Sequence, residues 1–351
     1  MNTELVDKIV RAVLYEGYLL YPYRPSAVKN QQRFNFGVVY PHAYSEARAG
    51  TDACVMQTEC LALGDESTEC VVQVRFLRMV ARSILNGTVA AGPSGEDHFE
   101  NVTRLEVNGK VYQPWQEVSE ETIEITEFNL AALASQSMQW PFRLSAKQER
   151  EPIRDQHGVI VGMILRDKKT ITGRIDLSAE RLEGGLFKIR THIFNNSRIN
   201  TSELALRDQA LELALVSTHT ILQVRGGAFI SLIDPPQQYA TSARACQNIG
   251  AWPILVGTEG QRDTLLSSPI ILYDYPQVAP ESPGDLFDGA EIDEILSLRI
   301  LSMTDQEKRE MRESDDRARQ ILERTESLPD EQWMKLHGAV RGLREIRRET
   351  E

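Results

Sequence analysis

The densest grouping of chemically able side chains is Ser217-Thr218-His219-Thr220, followed closely by Arg225-Gly226-Gly227. A hydroxyl next to an imidazole is the raw material of nucleophilic catalysis, because the imidazole can take the proton as the oxygen attacks. An enzyme of this kind would use His219 and Arg225, with an acid supplied by Asp274 or Asp285. The local pattern argues against it. There is no G-x-S-x-G elbow to present the hydroxyl, and adjacent residues on a strand face opposite ways. The Gly226-Gly227 pair lacks both a Walker lysine and the G-x-G-x-x-G pattern, so it is not a phosphate loop. A lone histidine beside such a turn is ordinarily structural.

Metal chemistry fares no better. Cys54, Cys60 and Cys70 lack the paired two-residue knuckles of a zinc ribbon or an iron–sulfur run. Cys60 and Cys70 fall in or beside apolar stretches, where cysteine acts as a small hydrophobe. The histidines His42, His98, His157, His192, His219 and His337 are scattered, with no two at ligand spacing on a helix. Asp285, Asp288, Glu291, Asp293 and Glu294 do not follow the EF-hand order, and acids at a helix start answer the helix dipole. The sequence assigns no catalytic residue, no metal site and no cofactor.

What remains is binding. Ser267 to Leu301 reads SSPIILYDYPQVAPESPGDLFDGAEIDEILSLRIL. It predicts a short strand over Pro269–Tyr273, a segment broken by Pro276, Pro280 and Pro283, and a helix restarting after Asp288-Gly289. Proline fixes φ and removes a donor, so this segment should cross the surface rather than enter a sheet. Tyr273, Asp274, Tyr275 and Asp285, with His219 and Arg225, are the candidate binding residues.

These residues need a scaffold, and composition bounds it. Hydrophobic residues make up 41% and charged residues 26% of the 351, with a net charge of −12, as expected of a folded soluble protein. The negative charge excludes a nucleic-acid surface, which needs clustered Lys and Arg. No apolar run approaches the roughly 18 residues of a membrane helix. The first residues, MNTELVDKIVRAVLYEG, are amphipathic and partly acidic, unlike a secretory signal, and four unevenly spaced cysteines do not form a disulfide framework. A cytoplasmic location follows as the expectation.

Along the chain, Leu5, Ile9, Val10 and Val13 share one face of a first helix. Tyr15, Tyr18, Tyr21, Tyr23, Phe34, Phe36, Tyr40 and Tyr44 follow, either edging a core or docking a partner. Cys70–Ile84 alternates as a strand. Asn108-Gly109 fits a type I′ hairpin turn between two short strands, because both positions need positive φ. Strands are expected at Glu121–Thr126, Val159–Leu165, Thr170–Leu177 and Leu186–Phe194, and a short helix over Phe128–Met138. A helix capped at Thr201 or Ser202 would carry Leu204, Leu206, Leu211, Leu213 and Leu215. Short strands follow at Thr220–Val224, Ala228–Ile233 and Pro253–Val256, with a helix at Ala240–Cys246. Thr304 with Glu307 makes a capping box ahead of a charged helix, and another helix begins near Pro329. The fold class is α+β: mainly antiparallel β, as a sandwich or open barrel, with added helices. Residues 1–200 form a β-rich domain, 201–290 a mixed lobe or closing layer, and 291–351 a charged helical C-terminal arm.

Three runs carry a resemblance: FGVVYPHAYSEA (Phe36–Ala47), STHTILQVRGGAFISLIDPP (Ser217–Pro236) and the Ser267–Leu301 stretch. They resemble a bacterial family of unassigned mechanism encoded in gene clusters for nickel–iron hydrogenases, among the accessory and maturation genes. The resemblance covers most of the chain and implies no catalytic residues. It implies a non-catalytic factor that binds hydrogenase subunits or maturation proteins during assembly. The alternatives are a structural subunit of a larger complex, the hydrogenase itself among the candidates, and an enzyme built on His219 and Arg225; a homo-oligomer is a further expected partner.

Overall fold

The computed structural model describes residues 3–15, 36–88, 98–200, 202, 206–276, 300–314, 316–327 and 329. Its spine is β2 (Glu69–Thr88), a strand of 20 residues. Along one edge it pairs first with β12 (Val216–Arg225) and then with β9 (Ile160–Lys168). Along the other it pairs with β6 (Trp115–Asn129) and then β3 (His98–Val102). β15 (Thr264–Ser268) and β14 (Trp252–Leu255) extend the sheet beyond β12, and β8 (Lys147–Arg154) extends it beyond β9. The eight strands pair antiparallel throughout.

A second sheet has the order β13 (Ala228–Ile230), β1 (Val55–Leu63), β11 (Leu186–Asn195), β10 (Ile171–Arg181), β7 (Met138–Leu144). Side chains alternate across a strand, so β10 turns Ile171, Ile175 and Leu177 inward. They meet Cys60, Phe187 and Ile189 from their own sheet and Val72, Val74, Phe76, Ile125 and Leu222 from the other. This is the core of a mainly antiparallel β-sandwich with added helices, the expected class. Burying each large apolar side chain there contributes roughly 1.5–3 kcal/mol.

Helices cover the outer face of the larger sheet. α1 (Thr3–Leu14) lays Ile9, Val10 and Val13 on Ile221, Ile254 and Leu266. Beside it, α2 (His42–Ala47) and Arg207–Leu211 bury Tyr44, Ala210 and Leu211 against Leu77 and Met79. The hairpin of β4 (Leu105–Val107) and β5 (Lys110–Tyr112) turns at Asn108 and Gly109, both at positive φ (53° and 77°), as the type I′ turn requires. The capping box is present: Glu307 N–H donates to Thr304 Oγ1 at 3.3 Å and Thr304 N–H to Glu307 Oε2 at 2.7 Å. Helices Asp305–Ser314 and Asp316–Ser327 share a small core of Met303, Met311, Ile321 and Leu322. They also return to the hairpin, where Val111 N–H donates to Glu313 Oε2 at 3.3 Å.

Several expectations are corrected. Pro269–Tyr273 is not a strand; the strand is Thr264–Ser268, one turn of sequence earlier, because β15 needs donors that Pro269 lacks. Among the described residues the leucine-rich stretch is helical over Arg207–Leu211 and not beyond, since Leu215 leaves it to bridge Val39; Thr201 and Leu204 lie outside the described residues. Phe128 and Asn129 end β6 and Met138 starts β7, leaving only Leu130–Ser135 helical, capped by Asn129 Oδ1 accepting from Ala132 N–H at 2.7 Å. β9 and β10 flank a short charged turn yet belong to different sheets. Residues 206–276 supply β12, β14 and β15 to one sheet and β13 to the other. Tyr18, Tyr21, Tyr23 and Phe34, the segment 277–299 and the helix near Pro329 lie outside the described residues.

Candidate functional site

β12 begins with an irregularity that locks His219 in place. Its register with β2 shifts between Val216 and His219, and Ser217 sits at φ 51°. The two N–H groups exposed there are used: Ser217 donates to Phe36 O at 3.2 Å and Thr218 to Gly37 O at 2.9 Å. Gly37 is itself at φ +55°, and a Cβ there would sit 2.6 Å from Pro269 Cγ. Three distant segments therefore close on one bulge.

Within that seal His219 is fully buried. Its Nδ1 lies 2.6 Å from the Ser217 carbonyl oxygen, which sets that nitrogen as the donor. Nε2 is buried without a hydrogen bond. Burial pushes the pKa from 6.5 down to about 4, opposed only by the Ser217 carbonyl, because the charged ring would lose its water. The ring is thus neutral at pH 7 and bonds a carbonyl, not a hydroxyl. Arg225 is six residues away on the same strand, roughly 20 Å at about 3.3 Å per residue. Its side chain is 78% exposed, 3.7 Å from Glu69. The structure does not bring His219 and Arg225 together.

Asp274 and Tyr275 are brought together, as staples. Asp274 Oδ2 accepts from Ser231 Oγ at 2.5 Å and Oδ1 from Leu255 N–H at 2.8 Å. Tyr275 donates its N–H to Leu255 O at 2.7 Å and its hydroxyl to Gln261 O at 2.8 Å. Both side chains spend their hydrogen bonds on fixing the strap to β14 and its loop. Tyr273 points the other way, 83% exposed, with Ile271 at 73%. Asp285 lies outside the described residues.

The sequence reading missed two charged networks. A cavity of about 600 Å³ lies between β2, β6, β8 and β9 on one side and β5 and the C-terminal helices on the other. Arg82 reaches Glu117 at 2.9 Å, and Arg166 reaches Glu117 at 2.8 Å and Glu151 at 2.7 Å. Tyr112 at its rim has its pKa raised, by burial first and then by Glu151 and Glu313. Nearby, buried Arg78 donates to Ser145 O and Lys169 O, each at 2.6 Å. Those carbonyls sit at two of the places where the chain crosses between sheets, after β7 and after β9. The visible signal was an even spacing: Arg78 and Arg82 share the inward parity of β2, and Glu121 and Glu117 answer them across the ladder.

The second network centres on Glu59, only 2% exposed. Arg190 Nη2 lies 2.6 Å from its Oε1, Gln247 N–H donates to Oε2 at 2.8 Å, and its own N–H donates to Asn248 Oδ1 at 2.8 Å. It pins the 246–249 loop to β1. Cys60 and Cys70 are buried core residues whose thiols are pushed up by burial, Cys70 to about 12. Among the described residues, no group of three or more His, Cys, Asp or Glu side chains is placed to hold a metal ion, and no helix is long and apolar enough to cross a membrane.

No protein-family model and no curated protein matches the chain. Among solved structures, the secretin InvG of the Salmonella SPI-1 type III secretion injectisome, from residue 176 to its end in the open-gate state, aligns at 11% identity and a TM-score of 0.11. The alignment covers 64% of this chain and 60% of the secretin chain, so this chain spans less than two thirds of that protein. A likeness at that score carries no argument about fold or function.

Proposed function

We propose that this chain is a non-catalytic, cytoplasmic accessory protein that binds other proteins during assembly or maturation of a nickel–iron hydrogenase. The observation that supports a binding role is the state of the reactive side chains. His219 is sealed and neutral, and Asp274 has both oxygens committed to the fold. By contrast Ile271 and Tyr273 stand largely in solvent on the strap, where aromatic side chains contribute most to protein contacts. The hydrogenase client comes from the family resemblance of the three sequence runs.

The separation of His219 from Arg225 weighs against an enzyme built on that pair. The return of Asp305–Ser314 to β5 weighs against those helices serving a larger complex as a free arm. Affinity purification of the full chain from a native host, read by mass spectrometry, tests the proposal. Recovery of a hydrogenase subunit or maturation factor is expected. Recovery of neither, with the bait intact and soluble, overturns the hydrogenase assignment.

A further inference from the structure

β6 differs from the other long edge strands. β7 carries Pro141, β8 Pro152 and β14 Pro253, each of which deletes a donor from an edge and so discourages added strands. β13, at the end of the smaller sheet, has only three residues. β6 has 15 residues and no proline, and among the described residues it pairs with β2 alone. From Glu117 to Thr126 no backbone group bonds outside the β2 ladder among the described residues. Alternate residues there turn an N–H and a C=O toward the open side.

The side chains along this edge select what could pair with it. Glu117 and Glu121 face inward and are held by arginines. Glu120, Thr122, Glu124 and Thr126 alternate onto the opposite face and are exposed. Glu124 accepts from the Gln73 amide at 2.5 Å, an uncharged partner, and Glu120 has no ion pair among the described residues. Two carboxylates without cations therefore flank threonines that favour extended structure. A second copy of this edge would set glutamate against glutamate, which destabilises cross-strand pairing, whereas lysine or arginine would pair favourably.

We infer that the β6 edge from Glu117 to Thr126 takes up an extended basic segment of a partner protein as an added strand. Backbone hydrogen bonds supply the affinity and the glutamates supply the choice of partner. The inference does not depend on hydrogenase being the client.

The test uses the full chain and a fluorescent peptide of alternating lysine and threonine. Controls are a glutamate–threonine peptide and lysine peptides N-methylated at alternate residues, in both registers. Anisotropy should show binding of the lysine peptide only, with slowed hydrogen exchange at alternate β6 amides. One N-methylated register should lose about tenfold or more in affinity, the equivalent of one or two backbone bonds. The pair E120K/E124K should reverse the preference toward the glutamate peptide. If that pair misfolds, E120Q/E124Q should instead abolish the discrimination. Binding that survives both N-methylations and leaves β6 exchange unchanged overturns the inference, as does no binding, or β6 protection by self-association alone. A failed hydrogenase pull-down would leave a positive peptide result standing, and a failed peptide experiment would leave the hydrogenase assignment standing.

Discussion

β12 and β6 run along opposite edges of the same stretch of β2, and their fates differ completely. β12 has β15 on its far side, the sandwich core on one face and α1 on the other, so eight of its first nine residues are buried. Among the described residues β6 has nothing paired on its far side from Glu117 to Thr126, and it exposes every second residue from Glu120. The histidine and hydroxyls lie in the enclosed strand, where low polarity holds the imidazole neutral and out of reach. The unpaired backbone lies in the open one. Reactive residue types and reachable surface are on opposite sides of one strand.

Four experiments would break or sharpen this contrast. Leu222→Ala, which empties a fully buried site in β12, should cost about 2–5 kcal/mol in urea unfolding. Thr122→Ala on β6 should stay within about 0.5 kcal/mol. Comparable losses at the two positions would refute the difference in enclosure.

The second concerns pH. Folding lowers the His219 pKa from 6.5 to about 4, so as pH falls the unfolded chain takes up a proton that the native one refuses. Stability is lost between about pH 6.5 and 4 and levels off below. From pH 7.5 to 5, the wild type should lose about 2 kcal/mol more than His219→Leu. His192, also lowered by burial, is common to both proteins and cancels in the difference. Parallel pH profiles would mean that the ring is not sealed.

Third, Asp274→Ala should cost about 1–2 kcal/mol, because it strands the Leu255 N–H and the Ser231 hydroxyl. Hydrogen exchange should speed up at Leu255 and in the strap but not at β12; unchanged exchange would deny the staple. E120V/E124V should, like Thr122→Ala, change stability by no more than about 0.5 kcal/mol. Removing edge charges should nevertheless shift the protein toward larger species in sedimentation velocity at rising concentration. Sedimentation identical to wild type would show that the edge is not open.

Legibility in the sequence followed the range of the interaction. The Asn108-Gly109 turn, the Thr304–Glu307 capping box and the apolar face of α1 rest on residues within one or two turns of each other, and each is where its pattern predicts. Alternation likewise exposed β2, β9, β10 and β11. β8 was missed because KQEREPIR has one inward apolar residue, Ile153, and pairs through its backbone at a sheet end. The leucines after Thr201 mimic a helix face, but Leu215 is claimed by Val39 from far upstream. Of the candidate site, the sequence picked out Asp274 and Tyr275 as part of a distinctive strap without revealing that they are staples.

By itself the sequence determined a mainly β chain with antiparallel strands, helices at its two ends and no local catalytic motif, since propensity and periodicity act between near neighbours. The tertiary structure alone decided which sheet each strand joins. The short turns after β7 and β9 look like hairpin turns, yet both cross between sheets and are held by one buried arginine, Arg78. It also decided that His219 is closed off while β6 stays open. The seal on His219 depends on the backbone at Phe36 and Gly37 and on Pro269 converging on the bulge at Ser217. No local pattern in the chain encodes that meeting.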